Sequence, residues 1–251
     1  MGAVAGLHWG SNGWICFSNV NERWDYDHYP SIESGWTALE TCELILVTVP
    51  VGLPSPETGR RRCDEAAKHL LGPRDQRVFY APVRSAVYEN ALDAAKEHNA
   101  AADYGIQNQA WIRTPRIREI DEWLERTPRA RDVIRETHPA VCFHTLADGP
   151  LEHERTTDVG REERLALIQN ERPELVEPVE EALVSLTQPR YAPLVTQPAD
   201  VLDAAVTTAT ASRHPDLATL PMIPPTDERG IPMGIHYPGD ARQLTLGDIE
   251  K

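Results

Sequence analysis

Apolar and polar positions near the N-terminus group into short runs and then change period. Met1 to Leu7, Trp14 to Ser18 and about Arg23 to Tyr29 each read as a strand, and the Gly10-Ser11-Asn12-Gly13 turn joins the first two. Runs of this length bounded by turn residues predict an antiparallel meander. His8 ends the first apolar run, so it is expected at the strand's end, pointing into the turn. Ile32, Trp36 and Leu39 recur at helical spacing behind Ser31, a good N-cap. The run "LILVTVPV" then lacks alternation and is β-branched, as in a central parallel strand buried on both faces.

From Ser55 to about Pro128 the period becomes helical. "RRRCDEAAKHLLGP" stops at Gly72-Pro73, "SAVYENALDAAKEHNAA" follows, and "IREIDEWLERTP" carries Ile117, Ile120 and Leu124 on one side. Beyond it, "RDVIRET" reads as a strand, "HPAVCFHTLADG" as a turn and short helix, and "VGREERLALIQ" as an amphipathic helix. A last helix, "ADVLDAAVTTATASR", starts after Pro198, with Asp200 as N-cap and Asp203 at its third position. Proline is dense from Pro173 to Pro198 and again from Pro215, which predicts loop-rich connections with one late strand in "GIPMGIHYP". No internal repeat is visible.

The 251 residues carry a formal net charge of -14, and lysine occurs only at Lys68, Lys96 and Lys251. So acidic a chain binds nucleic acid only through a local basic patch, which argues against a tight duplex binder. An acid-rich, lysine-poor surface also suits a high-salt interior, where screening shortens the reach of charge. Cys16, Cys42, Cys63 and Cys142 form no CxxC pair, which excludes a zinc ribbon and fits a reducing compartment. No apolar run is long enough to span a membrane and no signal core is present, so a cytoplasmic location is expected.

Six segments carry a resemblance to a known family. They are "GLHWGSNGW", "TVPVGLP", "RRRCDEAAKHLLGPRDQRVFYAPVR", "ETHPAVCFHTL", "RTTDVGREERLALI" and "DVLDAAVTTATA". Together they resemble the domain-of-unknown-function family of predicted RNase H-like nucleases, nearly end to end. The resemblance implies an α/β fold with an RNase H-like mixed sheet: three antiparallel strands, then parallel strands, flanked by helices. It implies a single domain over residues 1–251 with a helical insertion at about 55–128.

RNase H-like nucleases hold one or two Mg²⁺ ions with carboxylates, which activate water and stabilise the leaving oxygen. At the matching positions this chain has His8 and Thr48 in place of two aspartates, while Glu136 and Asp203 remain. Imidazole suits Mn²⁺, Fe²⁺ or Zn²⁺ better than Mg²⁺. The expected site is therefore His8, Glu136 and Asp203 around one divalent metal, Mn or Mg, with Thr48 beside it and His138 near. Arg84, Arg161 and Arg62 are the candidate phosphate-binding groups. Asp64, Gln109, Arg118 and Asp121 are weaker candidates, with capping or packing as their alternative. Cys63 reads as a packed thiol, and Trp14, Trp36, Trp111 and Trp123 as core or helix-packing aromatics. Two functions follow: metal-dependent phosphodiester hydrolysis on nucleic acid with a remodelled site, or a catalytically inactive domain that serves as a binding module.

Overall fold

The computed structural model describes residues 2–10, 12–20, 22–187 and 197–239. Met1 of the first predicted strand, Ser11 of the first predicted turn, residues 188–196 of the proline-dense connection and residues 240–251 lie outside them. Seven strands form one sheet in the order β3-β2-β1-β4-β5-β7-β6. These are β1 (Val4–Gly10), β2 (Gly13–Ser18), β3 (Asp25–Tyr29), β4 (Leu44–Val47), β5 (Ile134–Thr137), β6 (Ala218–Leu220) and β7 (Ile235–Tyr237). The first three are antiparallel; β1, β4, β5 and β7 run parallel; β6 is antiparallel to β7. This is the mixed α/β sheet expected from the sequence. No helix among the described residues is long and apolar enough to cross a membrane.

Pleat parity sorts the core. Leu7, Trp14, Cys16, Ile45, Val47 and Ile134 face one layer, made of α1 (Ile32–Leu39), α5 (Asn108–Arg126) and α6 (Pro128–Val133). Ile15 and Phe17 face the other, which holds α7 (Pro139–Leu146), α8 (Asp158–Glu171), α9 (Val176–Leu186) and α10 (Pro198–Ala211). Such alternation follows from the period of two along a strand. Between β4 and α5 lie α2 (Arg62–Leu71), a 3-10 turn (Gly72–Arg77), α3 (Arg84–Val87) and α4 (Leu92–Ala100). Ser31 caps α1 in a reciprocal box with Ser34.

Helix α10 is buried all round, and it lies close against β1. The approach requires Gly6: a Cβ there would stand 2.4 Å from the backbone nitrogen and the hydroxyl of Thr208. That hydroxyl lies 3.3 Å from Gly6 O and 3.2 Å from Phe17 O across the gap, with Ala204 O of its own helix nearest at 3.0 Å.

Five expectations change. Strand β1 continues past His8, pairing Trp9 with Trp14 and Gly10 with Gly13, so His8 stands inside the strand rather than in the turn. Pro128 starts a helix that takes up the first three residues of "RDVIRET", leaving β5 only from Ile134. The proline-dense stretch contains α9, because Leu175, Val179, Ala182 and Leu186 are buried at helical spacing and Pro178 sits in a tolerated first turn. Helix α10 has Gln197 as N-cap, which puts Asp200 at the third position and Asp203 in the second turn. Strand β6 forms within the segment expected to be loop, completing the sheet edge beside β7.

Candidate functional site

Parallel pairing sets Leu7 opposite Val47, and Thr48 N–H extends the ladder by donating to Leu7 O at 3.2 Å. His8 and Thr48 therefore emerge together on the α10 face. The Thr48 hydroxyl lies 2.8 Å from His8 Nδ1, which fixes the ring and turns Nε2 towards α10. Nε2 is 3.7 Å from Asp200 Oδ1 and 3.9 Å from Asp203 Oδ2. The two aspartates share a helix face because they are three residues apart.

One donor atom from each of His8, Asp200 and Asp203 lies within 4.8 Å of the others, a grouping that could close on a shared ion. Two ligands bonded to one metal at about 2.1 Å can be no more than about 4.2 Å apart. The His8 distances fall inside that limit. One imidazole with two carboxylates suits Mn²⁺, Fe²⁺ or Zn²⁺. A cation is already present: Arg155 places Nη2 2.9 Å from Asp200 Oδ1 and Nη1 3.3 Å from Asp203 Oδ2.

His8 and Asp203 open onto a cavity of about 230 Å³ at the carboxyl ends of the parallel strands, where ligands of open α/β sheets bind. Its wall includes Arg77, Arg113, Arg155 and Arg164, with Gln109 and His138. Both nitrogens of His138 are engaged: Nδ1 accepts from Ala140 N–H and Nε2 lies 3.2 Å from Arg77 O. Burial first, then the positive charge of Arg113, push the His138 pKa down to about 3. It is a neutral wall residue with no lone pair left for a metal.

Glu136 stands elsewhere. It pairs with Val47, whose side chain faces the α1–α5 layer, so parity directs Glu136 away from His8. There it meets Arg61, which donates to Oε2 at 2.7 Å and Oε1 at 2.9 Å and also grips Asp64. Val51 N–H donates to Glu136 Oε2 at 2.8 Å, and Arg61 reaches Gly52 O, on a turn with φ of 75° that glycine accommodates. Burial raises the Glu136 pKa while Arg61 opposes that rise.

The three expected phosphate-binding arginines lie off the cavity. Arg62 is exposed at the start of α2, beside the buried Arg61. Arg84 is enclosed by Asp121, Asp227 and Glu228, and Arg161 pairs with Asp158. Asp64 is held by Arg61, and Asp121 by Arg84, Arg229 and Tyr88. Arg118 donates to the carbonyls of Val87 and Glu89. Cys63 and the other three thiols are buried and free. Trp14 is fully buried, and Trp36 meets Trp123 edge-on at 5.9 Å. Asp200 and the cavity arginines were not singled out from the sequence as site residues. The spacing of Asp200 and Asp203 was the available signal; nothing local marks Arg77 or Arg113.

A family model described as "Protein of unknown function (DUF429)" matches residues 10–228. The chain belongs to this family. The matched span holds every residue of the cluster and cavity just described except His8, which precedes it by two positions. No curated protein and no solved structure matches the chain. The DUF429 description names no activity.

Proposed function

We propose that this chain is an RNase H-like, divalent-metal-dependent phosphoester hydrolase whose ion is held by His8, Asp200 and Asp203. The domain is read as residues 1–251, with about 55–128 inserted between β4 and β5. The observation that carries the reading is the His–Asp–Asp cluster opening onto an arginine-lined cavity. A bound divalent ion supplies a Lewis acid and lowers the pKa of its water. Thr48 holds the His8 ring in one orientation, and the two aspartates present charge from one rigid helix face. The cavity guanidiniums offset charge on phosphoryl oxygens, for which their planar forks are suited. Hydrolysis then adds water across one P–O bond, the oxygen going to phosphorus and a proton to the departing oxygen.

The second reading, a catalytically inactive binding module, is favoured by one observation. Arg155 already bridges both aspartates and supplies the positive charge that an ion would bring. Hydrolysis of bis(4-nitrophenyl) phosphate and 4-nitrophenyl phosphate with Mn²⁺, Zn²⁺ or Mg²⁺ separates the two. The hydrolase reading expects turnover that Asp203→Asn abolishes. Absence of turnover with every ion, in both the wild type and Arg155→Gln, supports the binding module instead.

A further inference from the structure

Two of the four cavity guanidiniums, Arg113 and Arg164, make no hydrogen bond to a carboxylate among the described residues. Arg77 donates to Glu154 at 3.3 Å, and Arg155 serves Asp200 and Asp203. Among the described residues no hydrogen bond engages the Arg113 guanidinium, which rests 5.2 Å above the Phe79 ring. Arg164 is 2% exposed, and its hydrogen bonds run from Nη1 to the carbonyls of His153 and Gly160. Its ion-pair partner, Glu163, is 3.9 Å away. A buried or half-buried charge is unfavourable unless close opposite charge offsets it, and here the offset comes at longer range from Asp203 with Asp200 for Arg113 and from Asp203 with Glu163 for Arg164. Burial accordingly depresses the pKa of both arginines. Neutral His138 adds no positive charge to the cavity, and its neighbour Phe143 gives that side an apolar wall.

Guanidinium donors without a carboxylate hydrogen bond suit an anion, and the cavity limits its size. At about 230 Å³ it falls below the ~300–1,000 Å³ of pockets for drug-sized ligands. A nucleic-acid duplex instead needs an extended basic surface, which a chain of net charge -14 does not readily offer. We infer that the cavity binds a small phosphate monoester, no larger than a sugar phosphate, with Arg113 and Arg164 as its anion receptors. Gln107 and Gln109, on the same wall as Arg113, supply amide donors to the ester's remaining oxygens. This names the substrate class of the proposed hydrolase and so rests on that reading, but the anion subsite binds without metal.

The test is calorimetric titration with inorganic phosphate and with ribose 5-phosphate in EDTA, and with a 12-base-pair DNA duplex as competitor. Both anions are expected to bind, the duplex to leave binding unchanged, and Arg113→Gln to weaken affinity at least about tenfold while the fold is retained. Loss of one charge-assisted fork accounts for that factor. Should Arg113→Gln fold poorly, protection of wild-type Arg113 from phenylglyoxal by phosphate, read by peptide mass spectrometry, decides the same point. The inference is overturned if neither anion binds, if Arg113 is neither needed nor protected, or if the duplex displaces the monoester. Because EDTA removes metal, failure here is distinguishable from failure of the metal site, which Mn²⁺ titration reads separately.

Discussion

Replacing Arg61 by methionine separates the two carboxylate centres by their energetics. Arg61 is 2% exposed and joins Glu136, 5% exposed, to Asp64, 1% exposed. It makes two hydrogen bonds to each carboxylate. Removing one partner of a buried ion pair costs about 3–5 kcal/mol, because the other charge stays behind without compensation. Two carboxylates are stranded here, so the upper end of that range applies. For a chain of this size, each kcal/mol lowers the melting temperature by about 2–4 °C, giving a fall of roughly 10–20 °C. Glu136→Gln should be milder, about 1–3 kcal/mol, since an amide oxygen still accepts from Val51 and Arg61 retains Asp64. Adding Glu136→Leu to Arg61→Met should recover part of the loss. The assay is urea denaturation followed by circular dichroism, with Mn²⁺ calorimetry on each variant that folds. The account predicts lost stability and unchanged Mn²⁺ affinity in Glu136→Gln. Unchanged stability with abolished Mn²⁺ binding would refute it and return Glu136 to the metal site.

Three other perturbations test separate parts of the structure. Gly6→Ala forces a methyl group to within 2.4 Å of the α10 backbone and should cost about 3 kcal/mol or more, measured as the urea midpoint; a midpoint unchanged from wild type would mean that α10 does not lie so close to β1. Thr48→Val keeps the volume but removes the 2.8 Å contact with His8 Nδ1, so Mn²⁺ affinity should fall about tenfold or more with the fold intact; equal affinity would show that the ring needs no such support. His138 is held at a pKa of about 3 when folded, by burial, Arg113 and the neighbouring His8 and Arg77, against a usual value near 6.5. The unfolded chain therefore takes up the proton first, so the stabilising effect of neutral His138 is complete above about pH 6.5 and is lost as pH falls towards 3, by up to about 1.4 kcal/mol per unit. His138→Gln should flatten the urea-midpoint profile between pH 6.5 and 4, and an unaltered slope would contradict the assignment.

Much of the sheet was legible because its signals are local. The meander, the apolar β4 run and the Ser31 cap depend on residues adjacent in sequence, and all three form, although β1 runs Val4–Gly10 and β4 takes only Leu44–Val47 of "LILVTVPV". His8, Thr48 and Asp203 were also picked out, and they meet. The position of Glu136 was harder to read. Its facing depends on the register of β5 against β4, which sets Glu136 opposite Val47, and nothing local in the sequence fixes that register. Asp200 was assigned a capping role, but α10 takes Pro198 as its first residue, so its N-cap is Gln197, three residues earlier. The cavity arginines come from the 3-10 turn after α2, α5, the segment before α8, and α8 itself. Only tertiary packing brings such distant segments to one wall.

The most direct measurement is calorimetric titration of Mn²⁺ into the purified protein in molar KCl, with Asp203→Asn and Glu136→Gln in parallel. One site per chain is predicted, lost in Asp203→Asn and retained in Glu136→Gln. No heat of binding in the wild type, or binding that survives Asp203→Asn, would contradict a metal centre built on His8, Asp200 and Asp203.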